Sequence, residues 1–215
     1  MPLNMIEAIG TVFGILCVAL YVRQNMWSWP TGLVQIVLFI VVFYDARLYS
    51  DLVLHIIFLV MQVYGWRHWL KGGAEGKSLN VTRLAGTEAA IWVVASLTGS
   101  FLCGYLVATH TDAAAPYPDA FVAVTSLIAQ WLITRKKLES WLFWIVVDLV
   151  AIGIYFYKAL YFATTLYSLF VVLGVMGYVT WRKSCSPGIR QDETHDMRPD
   201  TGKIRTTPSG SSTAD

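Results

Sequence analysis

Asp148 is the residue with the most chemistry to offer. It lies near the middle of residues 141–157, a run with no other charge. An acid at the centre of an apolar helix costs about 2.5–3.5 kcal/mol on insertion scales, so it is either functional or hydrogen-bonded to another helix. Trp144 precedes it by four positions and shares its helix face. An indole one turn from a carboxylate can hold a flat cation, the ring by stacking and cation–π attraction and the acid as counter-charge. Tyr155 lies further along the same run. Gln35, near the centre of residues 27–44, and Gln62, within residues 52–66, serve either as glue between helices or as contacts to a polar ligand. Tyr64-Gly65-Trp66 follows Gln62 by two positions. The candidate binding set is therefore Gln35, Gln62, Trp66, Trp144, Asp148 and Tyr155. Gln130, nearer a run's end, reads as glue, and His55 as a packing histidine.

Other chemistries lack their residues. The four His show no i, i+4 pairing, and the three Cys have no ligand spacing or disulfide framework. No nucleophile elbow of the GxSxG kind occurs, and the last apolar run has no mid-helix Lys to carry retinal. The loop at residues 72–78 has a glycine spacing one residue short of a phosphate loop and follows an apolar helix, not a strand. No enzyme activity, metal or cofactor is expected.

The elements that must position these side chains follow from composition. Of 215 residues, 56% are hydrophobic and 14% charged, and mean hydropathy is +0.54. A water-soluble fold of this size could not hide that much apolar surface. A net charge of +2 provides no field for nucleic acid. Apolar runs at residues 8–22, 27–44, 52–66, 89–109, 120–134, 141–157 and 159–181 predict an all-α membrane protein with seven transmembrane helices. The first run has neither a basic leader nor a small-x-small site, so it reads as a span and not a cleaved signal. Trp27, Trp29, Trp69 and Trp181 read as interfacial belt residues. Gly10 and Gly14 form a GxxxG, and Gly174 and Gly177 lie on one face of the last run, all for close helix packing.

A shift of 112 residues lays the first three runs on the last three without a gap. It pairs Arg23 with Arg135, Ser28 with Ser140, Trp29 with Trp141, Leu48-Tyr49 with Leu160-Tyr161, Gly65 with Gly177, Trp69 with Trp181 and Lys71 with Lys183. A three-helix unit inverts on direct repetition, and one extra helix restores its direction. The expectation is a 3+1+3 parallel-repeat architecture of the SWEET-like kind, with a substrate site between the repeats near the midplane. The first repeat covers residues 5–70. A cytoplasmic loop, a linking helix (about 88–109) and an outer loop fill 71–117. The second repeat covers 118–183, and a disordered cytoplasmic tail covers 184–215. All Lys and Arg except Arg47 and Lys158 fall on one side of this arrangement. The positive-inside rule puts that side, with the C-terminus, in the cytoplasm and the N-terminus outside.

Three stretches resemble the PnuC family of bacterial vitamin transporters: Ile6-Glu7-Ala8-Ile9-Gly10-Thr11, Tyr64-Gly65-Trp66, and Thr134-Arg135-Lys136-Lys137 followed by Trp141-Leu142-Phe143-Trp144. The resemblance spans roughly residues 5–183. It implies nicotinamide riboside uptake across the bacterial inner membrane by facilitated diffusion, with a cytoplasmic kinase trapping the product. The amides would then meet ribose or carboxamide. Family members often carry Asn where this chain has Gln35, Gln62, Asp148 and Met176. Thiamine, also a ring cation, is the alternative cargo. A non-transporting membrane receptor or assembly factor is the alternative of another class. Expected partners are a small vitamin and membrane lipid, with a homo-oligomer allowed.

Overall fold

The computed structural model describes residues 3–72, 79–111 and 115–185. Seven helices follow one another: α1 (Leu3–Val22), α2 (Ser28–Asp45), α3 (Tyr49–Lys71), α4 (Gly86–His110), α5 (Pro116–Thr134), α6 (Ser140–Tyr157) and α7 (Tyr161–Ser184). All but α5 are long and apolar enough to cross a membrane by length and composition. Though 19 residues long, α5 holds Thr125, Ser126, Gln130 and Thr134, all of them buried. It packs against α3, α4 and α6, so its polar groups meet protein and not lipid. The expected tail lies outside the described residues from 186 onward.

The 112-residue shift maps α2 onto α6 residue for residue, and brings α1 and α3 onto α5 and α7 to within one residue. Contacts between the two sets are α3 with α5 and α1 with α7, which the shift interchanges. The extra helix α4 packs mainly on α5, through Ser96 Oγ and Thr125 Oγ1 at 2.7 Å. Its other faces show Ile91, Val94, Phe101 and Leu106 outward, as a lipid-facing helix should.

The turns repeat as well. Among described non-glycine residues, Gln24, Arg47, Lys136 and Ala159 have positive φ, from 50° to 58°. The shift pairs Gln24 with Lys136 and Arg47 with Ala159. Each ends a helix, and the following N–H reaches back to a carbonyl of the last turn: Asn25 to Leu20, Leu48 to Phe43, Lys137 to Leu132 and Leu160 to Tyr155. This is the Schellman closure, here made without glycine. The Ser28–Ser140 identity belongs to the same turns. Each hydroxyl donates to a carbonyl three residues back, Asn25 and Lys137.

The Trp and Gly identities meet at the end of the bundle that carries Arg23 and Arg135. Trp29, Trp141 and Trp181 are 0%, 1% and 0% exposed, and Trp69 is also buried. Trp29 meets Trp69 edge-on at 5.2 Å, and Trp141 meets Trp181 at 5.4 Å. Trp69 and Trp181 join the two pairs at 6.1 Å. Gly65 lies against the Trp29 ring and Gly177 against the Trp141 ring. Trp69 Nε1 donates to Thr134 O at 3.1 Å and Trp181 Nε1 to Tyr21 O at 2.9 Å, each across the repeat boundary. Three of the four expected belt tryptophans are thus core residues. Trp27 is 68% exposed.

The segment before α4 seals the same end. Thr82 N donates to Lys136 O and Leu138 N to Thr82 O, forming a small parallel bridge with the α5–α6 turn. Val81 and Leu138 join the tryptophan cluster. Lys136 Nζ lies 4.4 Å from the Trp69 ring centre and donates to Leu79 O at 2.8 Å and Gln24 Oε1 at 3.5 Å. Burial pushes this ammonium below the usual lysine range. Cation–π attraction and the carbonyl compensate part of that cost.

Candidate functional site

Above the tryptophan cluster a cavity of about 450 Å³ runs between the two helix sets. Its walls follow from helical periodicity. On α6, Trp141, Trp144, Asp148 and Tyr155 stand at spacings of three, four and seven, which places them on one stripe. Their shift partners on α2 are Trp29, Gly32, Ile36 and Phe43, and the last three line the opposite wall. The outer part is framed by matched ring pairs. Phe43 and His55 meet at 4.7 Å, and Tyr155 and Tyr167 at 5.2 Å.

The two walls share a shape but not a chemistry. The shift pairs Gly32 with Trp144 and Gln62 with Gly174. In the first repeat the side chain comes from α3, and Gly32 leaves the space that Gln62 fills. In the second, Gly174 brings no side chain and Trp144 supplies the bulk. Ile36 faces the cavity where its partner is Asp148. Of the shift-paired helices α2 and α6, it is α6 that brings an acid to the cavity.

Asp148 is 5% exposed and lines this cavity. Among the described residues it has no hydrogen-bond or ion-pair partner. Helix-to-helix glue, one of its two sequence readings, has no counterpart here. No Lys or Arg lines the cavity. A buried acid on a cavity wall with no protein partner is a group left to meet whatever occupies the cavity.

Gln62 is the reverse case. Its Nε2 donates to Trp29 O at 3.2 Å and Ser28 O at 3.4 Å. Its Oε1 accepts from Tyr21 Oη at 3.2 Å and Gln130 Nε2 at 2.9 Å. An amide has two donors and two acceptor sites, so Gln62 has none left for a ligand. It touches the cavity and joins α1, α2, α3 and α5, and acts as a positioning residue. Gln130 is its glue partner and also lines the cavity. Gln35, half-buried, rests against Gly14 and makes no side-chain bond among the described residues, so its amide is free to meet a ligand. This is the use the structure finds for Gly14.

Of the six candidates, Gln35, Gln62, Trp144, Asp148 and Tyr155 line one cavity. Trp66 does not. It continues the stripe of Asp51, His55, Phe58 and Gln62 one turn further toward the end of α3 that carries Trp69, where it packs against the tryptophan cluster instead of the cavity. Sequence reasoning passed over Tyr21, Asp51, Ser126, Trp141 and Tyr167, which also line it. One signal for Tyr167 was available: it is the shift partner of His55, as Tyr155 is of Phe43. Among the described residues no group of His, Cys, Asp or Glu could hold a metal ion.

Two parallel three-helix sets around a central cavity, with a buried, unpartnered acid on one wall, have the build of a small-molecule membrane carrier. Residues 4–183 match the nicotinamide mononucleotide transporter family, and the chain belongs to it. It is 26% identical over 207 residues to the nicotinamide riboside transporter PnuC of Escherichia coli K12, covering 85% of this chain and 87% of the relative. The riboflavin/roseoflavin transporter RibM of Streptomyces davaonensis is 25% identical over 179 residues, covering 81% and 83%. The crystal structure of the vitamin B3 transporter PnuC superimposes with a TM-score of 0.68 at 24% identity, covering 84% of this chain and 81% of that one. The last comparison supports the fold.

Proposed function

We propose that this protein takes up nicotinamide riboside, the cargo named for its PnuC relatives. The observation that carries the reading is the unpaired Asp148 carboxylate one turn from Trp144 on the cavity wall. Nicotinamide riboside carries a flat ring cation, which suits the acid and the indole together. Gln35 offers an amide to its hydroxyls or carboxamide, and Tyr155 and Tyr167 offer a stacking surface on the way in. The cavity has no cationic side chain and two acids, Asp51 and Asp148. A phosphate would meet repulsion and no partner, so the nucleoside is favoured over its nucleotide. Riboflavin, cargo of another relative, has no positive charge for Asp148 to oppose. Thiamine does, and is the second reading.

No motor is expected in the chain, so substrate moves by facilitated diffusion and a cytoplasmic kinase traps it as the phosphate. Uptake of labelled nicotinamide riboside, thiamine, riboflavin and nicotinamide mononucleotide into protein-free liposomes carrying the purified chain tests this. The first should enter, the second compete, and the mononucleotide stay out. Equal entry of the mononucleotide would refute the charge argument.

The same proposal places residues 5–70 and 118–183 as the two repeats, with 71–117 linking them, in the bacterial inner membrane. The basic end with the tryptophan cluster then faces the cytoplasm, and the cavity lies on the outer side of that seal. A reporter active only in the cytoplasm should work when fused after Lys183 and fail when inserted between Pro116 and Asp119. The opposite pattern would reverse the orientation.

A further inference from the structure

We propose that the groove between α3 and α5, at the basic end of the bundle, binds the headgroup of an anionic phospholipid. The site is separate from the cavity and independent of the cargo.

Four flat groups form a ladder across this groove. On α3, Tyr64 and His68 stand one turn apart and stack at 5.8 Å with 6° between their planes. Tyr64 stacks in turn on Trp131 of α5 at 5.4 Å and 14°. Beyond it, the Arg135 guanidinium carbon lies 4.6 Å from the centre of the Trp131 ring. His68 and Arg135 each follow their ring by four positions, so both stand toward the basic end. None of the four lines the cavity or belongs to the tryptophan cluster. Tyr64 and Arg135 are exposed, and His68 and Trp131 half-buried. The ladder is part of the outer surface of the bundle.

Its charged end is unused within the chain. Among the described residues neither His68 nor Arg135 has a hydrogen bond or an ion pair. A guanidinium stacked by its face keeps its N–H edge free, and that edge is the part that grips a phosphate. Arg67 and Lys71 follow Tyr64 by three and seven positions on the same face of α3, and both are exposed.

The order of groups along the groove identifies the occupant. In the other direction from Tyr64, at steps of four, seven and eleven residues, α3 turns Val60, Ile57 and Val53 outward, all exposed. The groove therefore runs from apolar side chains to aromatic rings to cations, the order of acyl chain, interface and phosphate in a lipid leaflet. A free phosphate would use the cations and leave the apolar track empty. The repeat supplies a comparison. The shift takes Tyr64, His68 and Trp131 to Met176, Thr180 and Ala19, so the matched groove between α7 and α1 has no ladder, although Arg23 stands where Arg135 does. Symmetric packing does not call for these rings. Since α3 against α5 is a seam between the two repeats, a headgroup seated there ties one repeat to the other.

The experiment uses the purified full chain, stripped of lipid in a neutral detergent, where a basic surface alone has no membrane charge to meet. It is titrated with phosphatidylglycerol, with phosphatidylcholine of the same chains and with inorganic phosphate. Native mass spectrometry counts what stays bound, and the melting temperature without lipid checks folding. Phosphatidylglycerol should be retained over the other two, and Arg135→Gln should weaken its retention about fivefold. Arg23→Gln, at the matched position, should change it by less than about twofold. His68→Gln should also weaken retention, and it decides the matter if Arg135→Gln melts lower than wild type. Equal losses for Arg135→Gln and Arg23→Gln, equal retention of phosphatidylcholine, or inorganic phosphate held as tightly as the lipid would each overturn the site. So would a dimer or larger assembly that Arg135→Gln disperses, because the occupant would then be a second copy of the chain.

Discussion

Asp148→Asn is expected to weaken binding of a ring-cation vitamin by roughly 10- to 100-fold, as a charged interaction of about 1.5–3 kcal/mol is lost where little water can replace it. The neutral analogue of the same ring should lose little. Asn has nearly the shape of Asp and removes a buried charge that has no protein partner, so folding should be unharmed or improved. Asp148→Glu should recover part of the affinity, because charge is retained and only reach changes. Titrating both ligands and recording melting temperature on one purified variant separates the two sequence readings of this acid. A residue that ties helices together would lower the melting temperature and leave the cation-over-neutral preference intact. An unchanged preference would remove Asp148 from the role of counter-charge.

The second large effect belongs to two glycines. Gly65→Ala and Gly177→Ala are each expected to destabilise the fold by about 3 kcal/mol, the upper part of the range for overpacking a well-filled core. An added Cβ at Gly65 would run into the Trp29 ring and lie 2.9 Å from Thr134 Cγ2. At Gly177 it would sit 2.5 Å from the Trp141 ring. Neither indole has room to retreat. Trp29 is held between Tyr21 and Trp69, both at 5.2 Å, and Trp141 is held by Trp181. The control is Gly153→Ala, since nothing lies within 4 Å of an added Cβ there. That change should be neutral or gain up to about 1 kcal/mol from helix propensity. Thermal unfolding in detergent of the three variants checks the ordering. Equal stability for all three would mean that the tryptophan cluster can rearrange at no cost.

These two sets of residues differ in how far they could be read from the chain alone. Charge punctuation located the helices, since a charged side chain rarely stays inside hydrocarbon. The linking helix expected at about 88–109 is Gly86–His110, and the spans that looked short gained turns at their ends, where charged residues can snorkel. The 112-residue shift exposed the pairing of α2 with α6 and the matched Gly and Trp positions, because symmetric packing demands the same residue twice. Asp148 stood out for the same reason that makes it costly.

Hydropathy could not say which apolar faces turn inward. In a membrane protein, lipid and core are both apolar, so a helix needs no polar face and its pattern carries little directional information. Only packing placed Trp29, Trp69 and Trp181 at the centre of a seal and not in a belt. Only packing put Trp66 beside the tryptophan cluster and saturated Gln62 while leaving Gln35 free, a distinction no composition contains. The sequence by itself determined the class, the helices, the repeat and the one expensive acid, since each is written in charge and spacing along the chain. The tertiary structure decided which of those side chains share a cavity and which are already satisfied, because a hydrogen bond between α3 and α5 depends on distances in space and not on distances in sequence.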